Sequence, residues 1–195
     1  MVLRLPRWVL LTLHLLVHLL PLLALGWLVL AANAGLLGGD PVPGIIHWLG
    51  KGALNLLLLC LLVSPLAKGF RQGGLMRLRR PLGLWALAYA TLHVVSWMLL
   101  DLQLAWGQIG SELVKRNYIV LGMAAWLILL VLGVTSWPRL VRKMGRRWQT
   151  LHRSIYLAAL LVPVHYWWSL KSGWQEPAIY LLISVSLLAW RRRPF

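Results

Sequence analysis

Six histidines, His14, His18, His47, His93, His152 and His165, are the side chains here best suited to chemistry at neutral pH. Imidazole donates and accepts hydrogen bonds, ligates metals and changes charge near physiological pH. His93 lies toward the far end of RRPLGLWALAYATLHVVSWMLLD, and His152 and His165 lie in RRWQTLHRSIYLAALLVPVHYWW. Both stretches open on a basic cluster and continue as apolar runs. The single cysteine, Cys60, excludes an intrachain disulfide, a four-cysteine zinc or iron–sulfur site and CxxCH attachment, and reads as a small packing residue. There is no HExxH, GxSxG, Walker A loop, GxGxxG or pair of intramembrane aspartates. A nicotinamide nucleotide therefore has no Rossmann site, and any electrons handled by this chain must come from another donor.

The elements that position these histidines are membrane spans. The chain has 195 residues, 60% hydrophobic and 12% charged, with a mean hydropathy of +0.74. A soluble domain needs more charge than this to cover its surface. Six runs approach the ~20 apolar residues that cross a bilayer, at roughly 8–32, 45–66, 82–100, 118–137, 148–168 and 177–190. Each must be helical to satisfy its backbone groups away from water. The expected fold is an all-α integral membrane protein, a six-transmembrane-helix bundle folded as one domain over 1–195. Pro21 and Pro163 fall inside spans and are expected to kink them. The N-terminus has the basic start of a signal peptide, but its apolar run is too long for one and is taken as an uncleaved first helix.

The net charge of +16 would suggest nucleic acid in a soluble protein. Here it alternates from loop to loop. Arg4 and Arg7, the loop from Lys68 to Arg80, the loop from Arg139 to Arg147, and Arg191–Arg193 share one side. The other side has Lys115, Arg116 and Lys171, with Lys51 just inside the second span, and all four carboxylates, Asp40, Asp101, Glu112 and Glu176. By the positive-inside rule both termini are cytoplasmic. Trp8, Trp48, Trp137, Trp148, Trp167, Trp168 and Trp190 lie near span ends, as interfacial anchors do. The outer loop from Asp101 to Asn117 is long enough for a short surface segment such as IGSELVKR. No internal repeat, low-complexity tract or soluble domain appears.

Ionisable residues inside a membrane are costly and each is a functional candidate. At ~1.5 Å per residue, His93 lies ~12 Å inside the outer boundary at Asp101, and His165 ~9 Å inside Lys171. Two neutral imidazoles at one depth on separate helices suit the axial positions of a b-type haem. His152 lies ~20 Å nearer the cytoplasm by the same rise. That is the depth of a second haem, but Arg79 and Arg80 occupy the facing level of the third span. On one continuous ideal helix His152 and His165 would also point about 140° apart. His152 is thus either a third ligand or an interfacial hydrogen-bonding residue toward phosphate, flavin or quinone. His14 and His18 share one face of the first span, where they line a flavin or quinone pocket, supply a sixth ligand to an inner haem, or hydrogen-bond neighbouring helices. The last is favoured for His18. His47 sits near the outer interface. Arg153 pairs with a haem propionate, a phosphate or lipid headgroups, and the basic loops bearing Arg79 and Arg80 encode topology or dock an anionic nucleotide, flavin phosphate or acidic partner. Tyr89, Tyr156, Tyr166, Trp97 and Trp167 are candidate pocket lining or packing residues. Two rival functions are a small histidine-containing transporter and a non-redox anchoring or assembly subunit.

RRPLGLWALAYATLH, KRNYIVLGMAAWLILLVLGVTS and GRRWQTLHRSIYLAALLVPVHYWWS, together with DPVPGIIHWLGKGALNLLLLCLLVSPLA, resemble the MsrQ family of haem-binding membrane subunits. The likeness runs over essentially the whole chain. It implies a ferric-reductase-like transmembrane domain without nicotinamide or flavin domains. In that wider fold the third and fifth spans each carry two histidines. His93, His152 and His165 match three of the four, and Arg79 stands fourteen residues before His93 in place of the other. The resemblance further implies haem b and FMN as cofactors, with the quinone pool or a cytosolic flavin reductase as electron donor. The acceptor it implies is MsrP, a periplasmic molybdopterin subunit that reduces methionine sulfoxide in proteins. The chain would then be an electron-transfer subunit in the bacterial inner membrane, with no role in nucleic-acid binding.

Overall fold

The computed structural model describes residues 5–170 and 172–192, and no strand occurs among them. Arg4, Lys171 and Arg193, which entered the charge and depth readings, lie outside the described residues. Among the described residues the α-helices are α1 (Arg7–Asn33), α2 (Pro41–Gly69), α3 (Arg79–Ser96), α4 (Trp106–Lys115), α5 (Asn117–Thr135), α6 (Pro138–Met144), α7 (Arg146–His152), α8 (Ile155–Ser169) and α9 (Gln175–Arg192). The chain divides into two compact units, Met1–Gln103 and Leu104–Phe195.

In the first unit α2 packs chiefly on α3. Asp40 starts α2 by accepting the Val42 N–H on its Oδ1 at 3.0 Å, with Pro41 at the first helical position. Both features satisfy or remove backbone donors that a helix start leaves orphaned. Leu54, Leu57 and Leu61 form the buried stripe of α2, and Leu82, Ala86, Tyr89 and Ala90 answer it from α3. That α3 stripe continues at helical spacing to His93. A π-helical turn, Trp97–Asp101, follows α3, with the Leu102 N–H donating to the Trp97 carbonyl at 3.1 Å. The expected third span thus does not end as a plain α-helix. On α1, Leu11, Leu15, Leu19, Leu22 and Leu30 are exposed, as lipid-facing residues are.

In the second unit α5 packs on α8, and α8 on α9. Ala158 and Ala159 of α8 are fully buried, since small side chains let helix backbones approach closely. The expected surface segment is α4, anchored by buried Ile109 and joined to Arg116 by the Glu112–Arg116 ion pair. The expected continuous fifth span is instead two helices, α7 and α8, broken at Arg153–Ser154. There Ser154 donates both its N–H (3.0 Å) and its hydroxyl (2.7 Å) to the Leu151 carbonyl, closing a tight turn. Gly145 joins α6 to α7 at φ +53°, where a side chain would be strained.

Four segments, Arg7–Asn33, Pro41–Gly69, Gly73–Asp101 and Asn117–Thr135, are long and apolar enough to cross a membrane. The chain is therefore an all-α, multi-pass membrane protein.

Candidate functional site

His93 is half-buried on α3, and its Nδ1 lies 2.8 Å from the Ile46 carbonyl oxygen of α2. A carbonyl can only accept, so Nδ1 carries the proton and donates. The lone pair of the neutral ring then resides on Nε2, the tautomer expected of a metal-ligating imidazole oriented by its other nitrogen. The ring lies against Gly50, where a methyl group would stand 3.1 Å from Nδ1 and 3.2 Å from Cε1.

His165 has the same setting within the second unit. It is half-buried on α8, and its Nδ1 donates to the Tyr118 carbonyl of α5 at 2.6 Å. Its ring lies on Gly122, where a methyl would stand 2.7 Å from both Nδ1 and Cε1. In each unit the histidine follows its carbonyl partner by 47 residues. Ile46 and Tyr118, Gly50 and Gly122, and His93 and His165 are each separated by 72 residues. A repeated device therefore exists in a sequence without an evident repeat. Its signal was the shared offset of a glycine and a histidine.

His152 is held differently. It ends α7, a different helix from His165, so an angular offset along one continuous helix does not apply. Its Nε2 is 3.1 Å from Thr135 Oγ1, while the Thr135 hydroxyl donates to the Val131 carbonyl at 2.7 Å. With that hydrogen committed, His152 donates from Nε2, and its lone pair falls on Nδ1, the reverse of His93 and His165. Trp148 stacks on the ring at 3.9 Å between centroids and donates its Nε1–H to the Thr135 carbonyl at 2.9 Å. This cluster occupies the C-terminal end of α5, where backbone carbonyls lack helical partners.

His18 accepts the Trp85 Nε1–H on its Nδ1 at 3.1 Å, which is the inter-helix hydrogen bond favoured for it. His14 meets His18 edge-on with centroids 5.1 Å apart, and both rings are exposed on α1. His47 is half-buried on α2. Arg79 has a buried Nε without a hydrogen-bond partner, and its carbonyl accepts the Cys60 Sγ–H at 3.2 Å. Arg80 and Arg153 are exposed. Of the candidate lining residues, Tyr89 is buried and donates to the Pro21 carbonyl at 2.7 Å, and Tyr166 donates to Glu176 at 2.8 Å. Tyr156 lies 5.2 Å beneath the Arg191 guanidinium. Trp97 opens the π turn, and Trp167 is exposed and stacks with Trp174. Among the described residues, no three His, Cys, Asp or Glu side chains cluster to hold an ion by themselves. The donors on hand are single imidazoles with a fixed tautomer, a donor set that would suit a haem iron.

A membrane helical domain presenting such histidines defines a class. Residues 49–163 match the family model described as "Ferric reductase like transmembrane component". The chain is 52% identical to the "Protein-methionine-sulfoxide reductase heme-binding subunit MsrQ" of Cronobacter sakazakii, over 89% of this chain and 88% of that protein. The MsrQ protein of Klebsiella pneumoniae subsp. pneumoniae is 47% identical over 94% and 91% of the two chains. That of Salmonella newport is 49% identical over 91% and 90%. The chain belongs to the MsrQ family of ferric-reductase-like membrane subunits.

Proposed function

We propose that this chain is a b-type cytochrome of the bacterial inner membrane, in which His93 and His165 would be the haem-iron ligands. The observation that supports this most is the matched pair of Nδ1–H···O=C bonds, 2.8 Å at His93 and 2.6 Å at His165, each leaving the lone pair on Nε2. Bound haem supplies reversible one-electron exchange at its iron. The carbonyls of Ile46 and Tyr118 would hold the two imidazole planes and raise their basicity as ligands. Electrons are proposed to come from the quinone pool or a reduced flavin and to leave for MsrP, the periplasmic molybdoenzyme that reduces methionine sulfoxide in proteins. The charge pattern supports cytoplasmic termini. The chain is then an electron-transfer subunit and not the catalytic one.

Arg79, Arg80 and Arg153 are proposed contacts for the FMN phosphate or a haem propionate. The orphaned Arg79 Nε supports this, because a buried guanidinium donor is costly until an anionic acceptor meets it. His152 is proposed as the ligand of an inner haem, and His14 as a lining residue of a quinone or flavin pocket.

The test is the visible spectrum of protein purified in detergent from haem-replete cells, with haem quantified as its pyridine complex. The expected result is a Soret band that shifts on reduction and is lost in His93→Ala and in His165→Ala. A haem content unchanged in His152→Ala limits the chain to one site. A colourless preparation overturns the proposal in favour of a transporter or an anchoring subunit.

A further inference from the structure

We propose that Gly50 and Gly122 are positioning residues, each opening a helix carbonyl to the Nδ1–H of the histidine that packs on it. The proposal rests on the reading of His93 and His165 as haem ligands. In an α-helix the side chain at i+4 leans toward the N-terminus and covers the turn containing residue i. The carbonyl of Ile46 therefore lies beneath position 50, and that of Tyr118 beneath position 122. A carbonyl oxygen has two lone pairs, and the helix uses one. A flat imidazole packed face-on against the helix comes closest to the second where residue i+4 carries no side chain, whereas a longer side chain such as Tyr89 reaches the Pro21 carbonyl past Leu25. Both positions are glycine, although glycine is intrinsically unfavourable inside a helix.

The two sites differ in tolerance. A methyl at position 50 stands 3.1 Å from Nδ1 and 3.2 Å from Cε1 of His93, so a shift of a few tenths of an ångström relieves it. At position 122 it stands 2.7 Å from Nδ1 and Cε1 and 3.1 Å from Nε2 of His165, so the ring or the helix must shift, which strains the Nδ1–H bond to Tyr118. Gly52 provides a control on the same helix as Gly50. A methyl there stands 2.5 Å from Tyr89 Cδ1, and its three nearest neighbours all belong to the Tyr89 ring.

The experiment uses full-length protein from haem-replete cells and follows the ferric low-spin signature and the midpoint potential. Gly122→Ala is expected to lower the six-coordinate low-spin fraction by about tenfold or more, the usual scale for losing a ligand's orienting hydrogen bond. Gly50→Ala is expected to keep six coordination with a displaced midpoint potential. Gly52→Ala is expected to lower the yield of folded protein, and the protein that folds is expected to keep the wild-type signature per haem. Added imidazole is expected to restore the low-spin form in His165→Gly and in Gly122→Ala/His165→Gly alike, because an untethered ring can avoid the methyl.

An unchanged signature and potential in Gly122→Ala overturns the proposal, as does an equal loss in Gly52→Ala. Should Gly122→Ala not accumulate as monodisperse protein, Gly50→Ala decides, and an unchanged potential there overturns it. Retention of the low-spin form by His93→Ala or His165→Ala would instead sink the ligand assignment itself.

Discussion

Gly52→Ala is expected to be among the most damaging single-methyl additions in the first unit. The new carbon would sit 2.5 Å from Tyr89 Cδ1 and 2.7 Å from Cε1, more than an ångström inside the ~3.5–4.0 Å of an ordinary carbon contact. Tyr89 is 2% exposed and cannot swing clear. Its hydroxyl is tied to the Pro21 carbonyl at 2.7 Å, and its ring stacks on Trp48 with centroids 5.9 Å apart. Overpacking a well-filled site costs ~1–3 kcal/mol, and the pinned ring places this case at the upper end. The assay is equilibrium unfolding in mixed micelles, with denaturing detergent as titrant, carried through a double-mutant cycle. Gly52→Ala is expected to cost about 2–3 kcal/mol in the wild-type background and under about 1 kcal/mol beside Tyr89→Leu, a coupling of at least ~1 kcal/mol. An equal cost in both backgrounds would refute the reasoning, because the methyl would then be meeting something other than the tyrosine.

Further substitutions test other joints. Asp40→Ala removes the cap of α2 and is expected to cost ~1 kcal/mol, measured by the same unfolding titration. Gly145→Ala places a side chain at φ +53° and is expected to cost ~1–3 kcal/mol, read as a lower thermal midpoint. Tyr166→Phe leaves Glu176 without its 2.8 Å donor and is expected to lower stability by ~1 kcal/mol while preserving the haem spectrum. Thr135→Val removes the acceptor of His152 Nε2, and the expected outcome is a change in any spectral component that His152→Ala also removes, with the His93- and His165-dependent band intact.

Much of the fold was legible because membrane spans announce themselves by composition. The apolar run of α1 and the expected 118–137 stretch fall within two residues of the helices observed at Arg7–Asn33 and Asn117–Thr135. The break at Arg153–Ser154 was not legible. It depends on a serine turning both its donors onto one carbonyl, and serine is equally at home inside a membrane helix. The π turn after Ser96 likewise has no proline or glycine to mark it. His93 and His165 could be singled out as buried ionisable groups in an apolar chain, whereas Gly50 and Gly122 were marked only by their shared offset from a histidine. Glycine is frequent in membrane helices, and its meaning here comes from a ring supplied by another helix of the same unit. The opposite tautomer of His152 was also beyond reach, since it follows from where the Thr135 hydroxyl points.

The acceptors for His93 and His165 belong to the main chain. Codon changes at Ile46 or Tyr118 alter what hangs from those positions but leave the oxygen in place for as long as the helix persists. Genetic drift can therefore crowd either imidazole from a neighbouring position, yet no point mutation deletes the atom that fixes its proton. A side-chain carboxylate in the same role would be one nucleotide away from loss.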